Sequence, residues 1–114
     1  LGVSWTIRDS RFLGNRAIGT GANPPQAGTP GGGNGGAIYN DGNEMTLRVE
    51  RTTIEGNWSN GEGGSAIFFV SNDRSGSVEI EDSVLHDNTG DGFWTHPGIF
   101  FLGDTITFTG STVD

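Results

Sequence analysis

The 114-residue sequence contains no cysteine and no lysine. Without thiols there is neither a disulfide framework nor a thiolate metal site, and cysteine usage gives no reading of the redox compartment. Without lysine, only 6 arginines face 14 acidic residues, for a net charge of −8. Recognition of a phosphate backbone needs a basic patch, so nucleic acid is not an expected partner. An acidic surface favours solubility and divalent cations instead. Long apolar runs are also missing: none approaches the ~20 residues of a membrane span, and no basic-then-apolar leader opens the chain. The first residue is Leu1, which reads as a processed or excised piece whose targeting signal, if any, lies upstream.

What is abundant is turn chemistry. There are 21 glycines, and the hydrophobic fraction is only 32%, including 7 phenylalanines and 3 tryptophans. Burial must come from a few large rings set between turns, the profile of an all-β chain. No composition shift divides residues 1–114, so one domain is expected.

The chain repeats itself. Ile7 to Asn15, Val49 to Asn57, Ile80 to Asn88 and Phe108 to Asp114 superpose without gaps, at offsets of 42, 31 and 28 residues. Periods of this size imply one supersecondary unit per repeat, stacked on its neighbours. Reading down the columns, Trp5, Leu47, Val78 and Ile106 are apolar; so are Ile7, Val49, Ile80 and Phe108, and Phe12, Ile54, Leu85 and Val113. These predict the core, with the first two columns separated by one polar residue as strand alternation requires. Ser10, Thr52, Ser83 and Ser111 form a hydroxyl column at an expected corner, and Asn15, Asn57 and Asn88 an asparagine ladder. Arg8 aligns with Glu50 and Glu81, Asp9 with Arg51 and Asp82, and Thr6 with Arg48 and Glu79. Such columns predict exposed ion pairs that set register more than strength.

A second element recurs at Gly36-Ala37-Ile38-Tyr39, Ser65-Ala66-Ile67-Phe68-Phe69 and Pro97-Gly98-Ile99-Phe100-Phe101. Small residues before an apolar run fit a strand packed closely under its neighbours. Tyr39, Phe68 and Phe100 align there and are expected as a second core seam, since an exposed strip of rings invites aggregation. Gly19 to Gly35, rich in Gly, Pro and Asn, reads as a surface insertion.

Phe12-Leu13-Gly14-Asn15 followed by Gly35-Gly36-Ala37-Ile38 resembles the paired FxxN and GGA(I/L/V) repeats of chlamydial polymorphic outer-membrane proteins and related autotransporter-type passengers. The later copies are looser, at Ile54 to Asn57 with Gly63-Gly64-Ser65-Ala66-Ile67, and at Leu85 to Asn88. The resemblance implies a right-handed parallel β-helix of the pectate-lyase-like superfamily, here a solenoid of about three and a half coils. It implies an extracellular or cell-surface protein, often adhesive and sometimes carbohydrate-active, and fixes architecture more than chemistry.

Candidate chemistry is sparse. Asp87-Asn88-Thr89-Gly90-Asp91-Gly92 has oxygens at alternate positions and a glycine turn, so Asp87 and Asp91 are candidate calcium ligands. Gly98 stands where an EF-hand places its bidentate glutamate, which excludes that motif, and Asp-Gly is also ordinary turn chemistry. Asn40-Asp41-Gly42-Asn43-Glu44 is a weaker case, expected as a turn. Glu81, Asp82, His86 and Asp87 are the one acid and histidine cluster fit for acid/base work on polysaccharide. The Asn-Thr-Asp, Asp-Asp and Gly-His-Gly signatures of β-helix pectinases are missing, so a solvated face explains the cluster better. His86 and His96, ten apart, do not demand a metal site.

Trp58 and Trp94, expected in loops, are candidate platforms for stacking on sugars. Thr105-Ile106-Thr107-Phe108-Thr109 alternates like an ice-binding strand, but Thr107 aligns with Arg48 and Glu79, and Thr109 with Glu50 and Glu81, so no threonine array results. Asn57-Trp58-Ser59 matches a glycosylation sequon.

The reading is a structural or interaction β-helix whose partner is a polysaccharide or protein surface, with a carbohydrate-active or carbohydrate-binding module as the alternative. No cofactor is required; calcium is the one considered. Open strand edges also predict either a longer parent protein or end-to-end association of copies, with Ile106 and Phe108 near the contact.

Overall fold

In the computed structural model, residues 2–19, 33–60 and 63–114 are described. Most of the Gly/Pro-rich segment at 19–35 lies outside them. The first repeat supplies β1 (Trp5–Arg8), β2 (Arg11–Leu13), β3 (Arg16–Ala17) and β4 (Ile38–Gly42). The second supplies β5 (Thr46–Glu50), β6 (Thr53–Glu55), β7 (Trp58–Ser59) and β8 (Ile67–Ser71). The third gives β9 (Ser77–Glu81), β10 (Val84–His86), β11 (Thr89–Gly90) and β12 (Ile99–Leu102), followed by β13 (Thr105–Thr109) and β14 (Thr112–Val113). Among the described residues every named element is a strand, and no helix is long and apolar enough to cross a membrane.

All named strands pair in parallel, in four sheets. Sheet I runs β1-β5-β9-β13, sheet II β2-β6-β10-β14, sheet III β3-β7-β11 and sheet IV β4-β8-β12. The register matches the sequence columns: Trp5 pairs with Leu47, Leu47 with Val78 and Val78 with Ile106. Ile7, Val49, Ile80 and Phe108 follow two positions on, and Phe12, Ile54, Leu85 and Val113 stack in sheet II.

Burial follows from that alternation. Leu47, Val49, Ile54, Val78, Ile80 and Leu85 are fully buried, while the residues between them on β5 and β9 face out. We expect Glu50→Ala, whose carboxylate meets Arg8 at 3.3 Å on the surface, to cost under about 1 kcal/mol in urea unfolding. Val49→Ala, one residue away, should cost roughly 1 to 3 kcal/mol. Equal losses would put the alternation out of register.

Corners between sheets use the left-handed backbone region. Asp9, Arg51, Asp82 and Gly110 have φ of 53°, 46°, 48° and 58°, and stand in one column between sheets I and II. Gly14, Gly56 and Asp87, with φ of 64°, 66° and 55°, form the column between sheets II and III. Side chains lock the first corner. Ser10 N–H donates to Thr52 Oγ1, Thr52 N–H to Ser83 Oγ and Ser83 N–H to Ser111 Oγ, at 3.3, 3.1 and 3.0 Å.

The asparagine ladder closes the second corner. Asn15 N and Nδ2 both donate to Asn57 Oδ1, at 2.8 and 2.9 Å, and Asn57 N and Nδ2 both donate to Asn88 Oδ1, at 3.1 and 2.8 Å. Asn57 is fully buried, and its Nδ2, the atom a glycan would need, also bonds Phe12 O. The sequon is thereby engaged in the interior of the folded chain.

The two quoted motifs acquire mechanical meaning here. Phe12 packs against the core and Asn15 begins the ladder. Gly35 holds φ of 65°, and a Cβ on Gly36 would lie 2.2 Å from Ser65 O, a distance no side chain tolerates.

Sheet IV corrects one expectation. Ile38, Ile67 and Ile99 pair in the buried column, and two residues on Asn40 and Phe69 are buried with Phe101 partly buried against the core. By parity the Tyr39, Phe68 and Phe100 column faces the other way and is not a core seam. Its rings stack instead, Tyr39 on Phe68 and Phe68 on Phe100, both at 5.1 Å between centroids. Tyr39 is 46% exposed while Phe68, held between its two neighbours, is buried. The Asn40–Glu44 segment is also more ordered than a turn: β4 runs through Gly42, with Asn40 buried.

Candidate functional site

The four acid/base candidates do not share one strand. Glu81 ends β9 in sheet I, Asp82 occupies the corner after it, His86 ends β10 in sheet II, and Asp87 occupies the next corner. All four are exposed. Glu81 lies between Glu50 and Thr109 in the register of sheet I.

His86 has a different set of neighbours. Its Nδ1 hydrogen-bonds Asp114 Oδ1, and Glu55 is its partner in the ladder. Its pKa is raised, first by the hydrogen bond to Asp114 and its charge, then by Asp87 and Glu55. A raised value means the pair adds stability on the acid side, and that contribution fades as pH rises through the folded-state pKa. Asp114 and Glu55 were missed as His86 partners in the sequence. The signal was available, because they stand 28 residues after and 31 residues before it, the two local repeat offsets.

Around the calcium candidates, Asp87 fills the corner position that Gly14 and Gly56 fill in the repeats before it. Aspartate tolerates the left-handed region better than most residues, which gives Asp87 a backbone role irrespective of any ion. Thr89–Gly90 is a strand, Asn88 points inward, and Asp91 N–H donates to Ser59 O at 3.1 Å. Among the described residues, no group of three or more His, Asp or Glu side chains is placed to hold a metal ion. An ion at Asp87 and Asp91 would draw its remaining ligands from backbone and amide oxygens.

The tryptophans separate. Trp58 lies in the short strand β7, not in a loop, with the Arg16 guanidinium 5.1 Å from its ring centroid. Trp94 sits in the connection after β11 and is 51% exposed. His96 packs its ring against Phe108, 5.4 Å between centroids.

On the outer face of sheet I, Arg48 Nε meets Glu79 Oε2 at 2.7 Å, and the Arg51 guanidinium grips both carboxylate oxygens of Asp9 at 2.7 and 3.1 Å. Arg51 holds the Asp9 carboxyl below its ordinary pKa. Thr107 and Thr109 stand beside Glu79 and Glu81, so the threonines of β13 are not part of a threonine array. The same face carries an open polar depression lined by Ser4, Trp5, Thr6, Thr46, Arg48, Ser77 and Glu79. None of the four acid/base candidates lines it.

Comparison with protein-family models, with curated proteins and with solved structures gives no match to this chain.

Proposed function

We propose that the chain is a segment of right-handed parallel β-helix, about three and a half coils long, in a secreted or cell-surface protein, where it serves as an adhesive or scaffold-like element. Parallel strands joined by crossovers are right-handed in about 98% of cases, which supports the handedness. The FxxN and GGAI positions, each with a mechanical task, support the likeness to polymorphic outer-membrane proteins and autotransporter-type passengers within the pectate-lyase-like superfamily. The observation that carries the role is where the charges go. Arg8, Arg48 and Arg51 each pair with a carboxylate of the neighbouring repeat and do not converge with the acid/base candidates on one depression. That arrangement serves register and a broad charged face.

A second reading, a carbohydrate-binding or carbohydrate-active module, draws on exposed Tyr39, at the end of the Tyr39-Phe68-Phe100 stack, and on exposed Trp94. Flat rings on a β-surface stack on sugars. Glu81, Asp82, His86 and Asp87 would be its chemical groups.

A panel of neutral and acidic polysaccharides, with and without calcium, tests both. The scaffold reading expects no release of reducing ends. Release abolished by His86→Ala would replace it with the enzyme, and retention lost in Trp94→Ala would favour the binding module. Calcium is tested in the same samples by thermal melting. If Asp87 and Asp91 hold the ion, a chelator lowers the melting temperature and Asp91→Ala removes that sensitivity; an unchanged melt leaves Asp87 as a corner residue alone.

A further inference from the structure

We propose that the depression on the outer face of sheet I binds a neutral saccharide, with Arg48 and Glu79 holding two adjacent hydroxyls of one sugar ring. This rests on the adhesive reading, gives it a location and names its ligand class. The central residues stand on β5 and β9, inner strands of sheet I with β1 and β13 on either side.

Side-chain length shapes the depression. Two outward columns run side by side across these strands: Ser4, Thr46 and Ser77, then Thr6, Arg48 and Glu79 two residues on. The short hydroxyl side chains form a floor, and the long Arg48–Glu79 pair forms a wall roughly 7 Å away along the strand. Thr46, Ser77 and Glu79 are partly buried, so the floor is set into the sheet. The space measures about 430 Å³, within the ~300 to 1,000 Å³ range of small-molecule sites.

The polar groups set the ligand class. Arg48 uses only Nε on Glu79 Oε2, at 2.7 Å. Its Nη groups and Glu79 Oε1 have no partner among the described residues, and the other ladder neighbour of Glu79 is Thr107. Arg51, by contrast, uses Nε and Nη2 on both oxygens of Asp9, which leaves that pair closed. A guanidinium and a carboxylate fixed side by side offer donors and an acceptor together. They complement neighbouring sugar hydroxyls, each of which both donates and accepts. The hydroxyls of Thr46 and Ser77, 3.5 Å apart, add adaptable partners beside them.

Charge decides between neutral and acidic sugars. The two charges of the pair cancel and the chain carries −8 overall, so an acidic sugar is repelled and a neutral one is not.

Titration of the isotope-labelled chain with the methyl glycosides of glucose, galactose and mannose, followed by amide NMR, tests the site. Shifts are expected at Thr46, Arg48, Ser77 and Glu79 and at Arg48 Nε–H, with Kd on the order of 1 mM. Ser77→Ile, a β-branched side chain suited to a strand, fills the floor without touching the ion pair. It should weaken binding by about tenfold or more with the melting temperature retained. Glu79→Gln leaves the Arg48 charge uncompensated and should move the preference towards the methyl glycoside of glucuronic acid by roughly two- to fivefold. Binding at sheet I that survives Ser77→Ile, or a preference that Glu79→Gln leaves unchanged, overturns the proposal. Shifts confined to Tyr39 and Trp94 also overturn it and leave a sugar-binding chain; no shift anywhere removes sugar adhesion as well.

Discussion

Asn57→Ala is expected to lower unfolding stability by roughly 3 to 5 kcal/mol, a large share of the ~5 to 15 kcal/mol typical of a domain. The carboxamide accepts from two groups of Asn15 and donates to Asn88 Oδ1 and Phe12 O. Truncation removes all four bonds at once in a position fully shielded from water. Buried groups that lose a partner cost about 1 to 3 kcal/mol each, more than the bond contributed when present. Asn57→Asp offers no escape, because its second oxygen would face the carbonyl oxygens of Asn88 and Phe12. The matched control is Asn15→Ala at the exposed end of the ladder, expected to cost about 1 kcal/mol. Urea unfolding of the two variants decides the matter: equal losses would make the ladder ornamental and leave stability to the apolar columns alone.

The ladder was legible in the sequence because stacking at constant register places like residues above one another. Apolar columns, hydroxyls and amides each gain from an identical neighbour one strand away, so the chain repeats them at Ile7, Val49 and Ile80 or at Ser10, Thr52 and Ser83. Three features were not legible, each for a different reason. Runs such as Ile67-Phe68-Phe69 are apolar on both faces, so composition cannot say which parity is interior. β7 is two residues long and flanked by Asn57 and Asn60, too short for alternation to register, so Trp58 read as a loop residue. The His86 column contains Leu13, Glu55, His86 and Asp114 in turn. No residue type repeats there, so only the repeat offsets of 31 and 28 residues, and no recurring side chain, marked Glu55 and Asp114 as neighbours. Chemistry was the least legible layer, because turn residues and calcium ligands draw on the same aspartates and glycines. Asp87 illustrates this, standing where the backbone requires the left-handed conformation that Gly14 and Gly56 adopt.

Phe69→Ala should cost about 3 to 5 kcal/mol, whereas Phe100→Ala, in the neighbouring aromatic column, should cost only about 1 to 2. Phe69 is the largest fully buried side chain in the molecule's described residues, and its ring stacks on Phe101 at 5.6 Å between centroids. Removing it opens a cavity that neighbours on β4 and β12 cannot close, since the ladder fixes their strands at constant spacing. Phe100 also stacks, on Phe68 at 5.1 Å, but it faces out and is only partly buried. Its loss removes one ring contact and some covered area, and solvent can fill the space. Comparing the two by chemical denaturation tests the assignment of inside and outside in sheet IV. A larger loss for Phe100 than for Phe69 would invert that parity, return Tyr39, Phe68 and Phe100 to the core, and withdraw the ring surface on which the sugar-binding alternative depends.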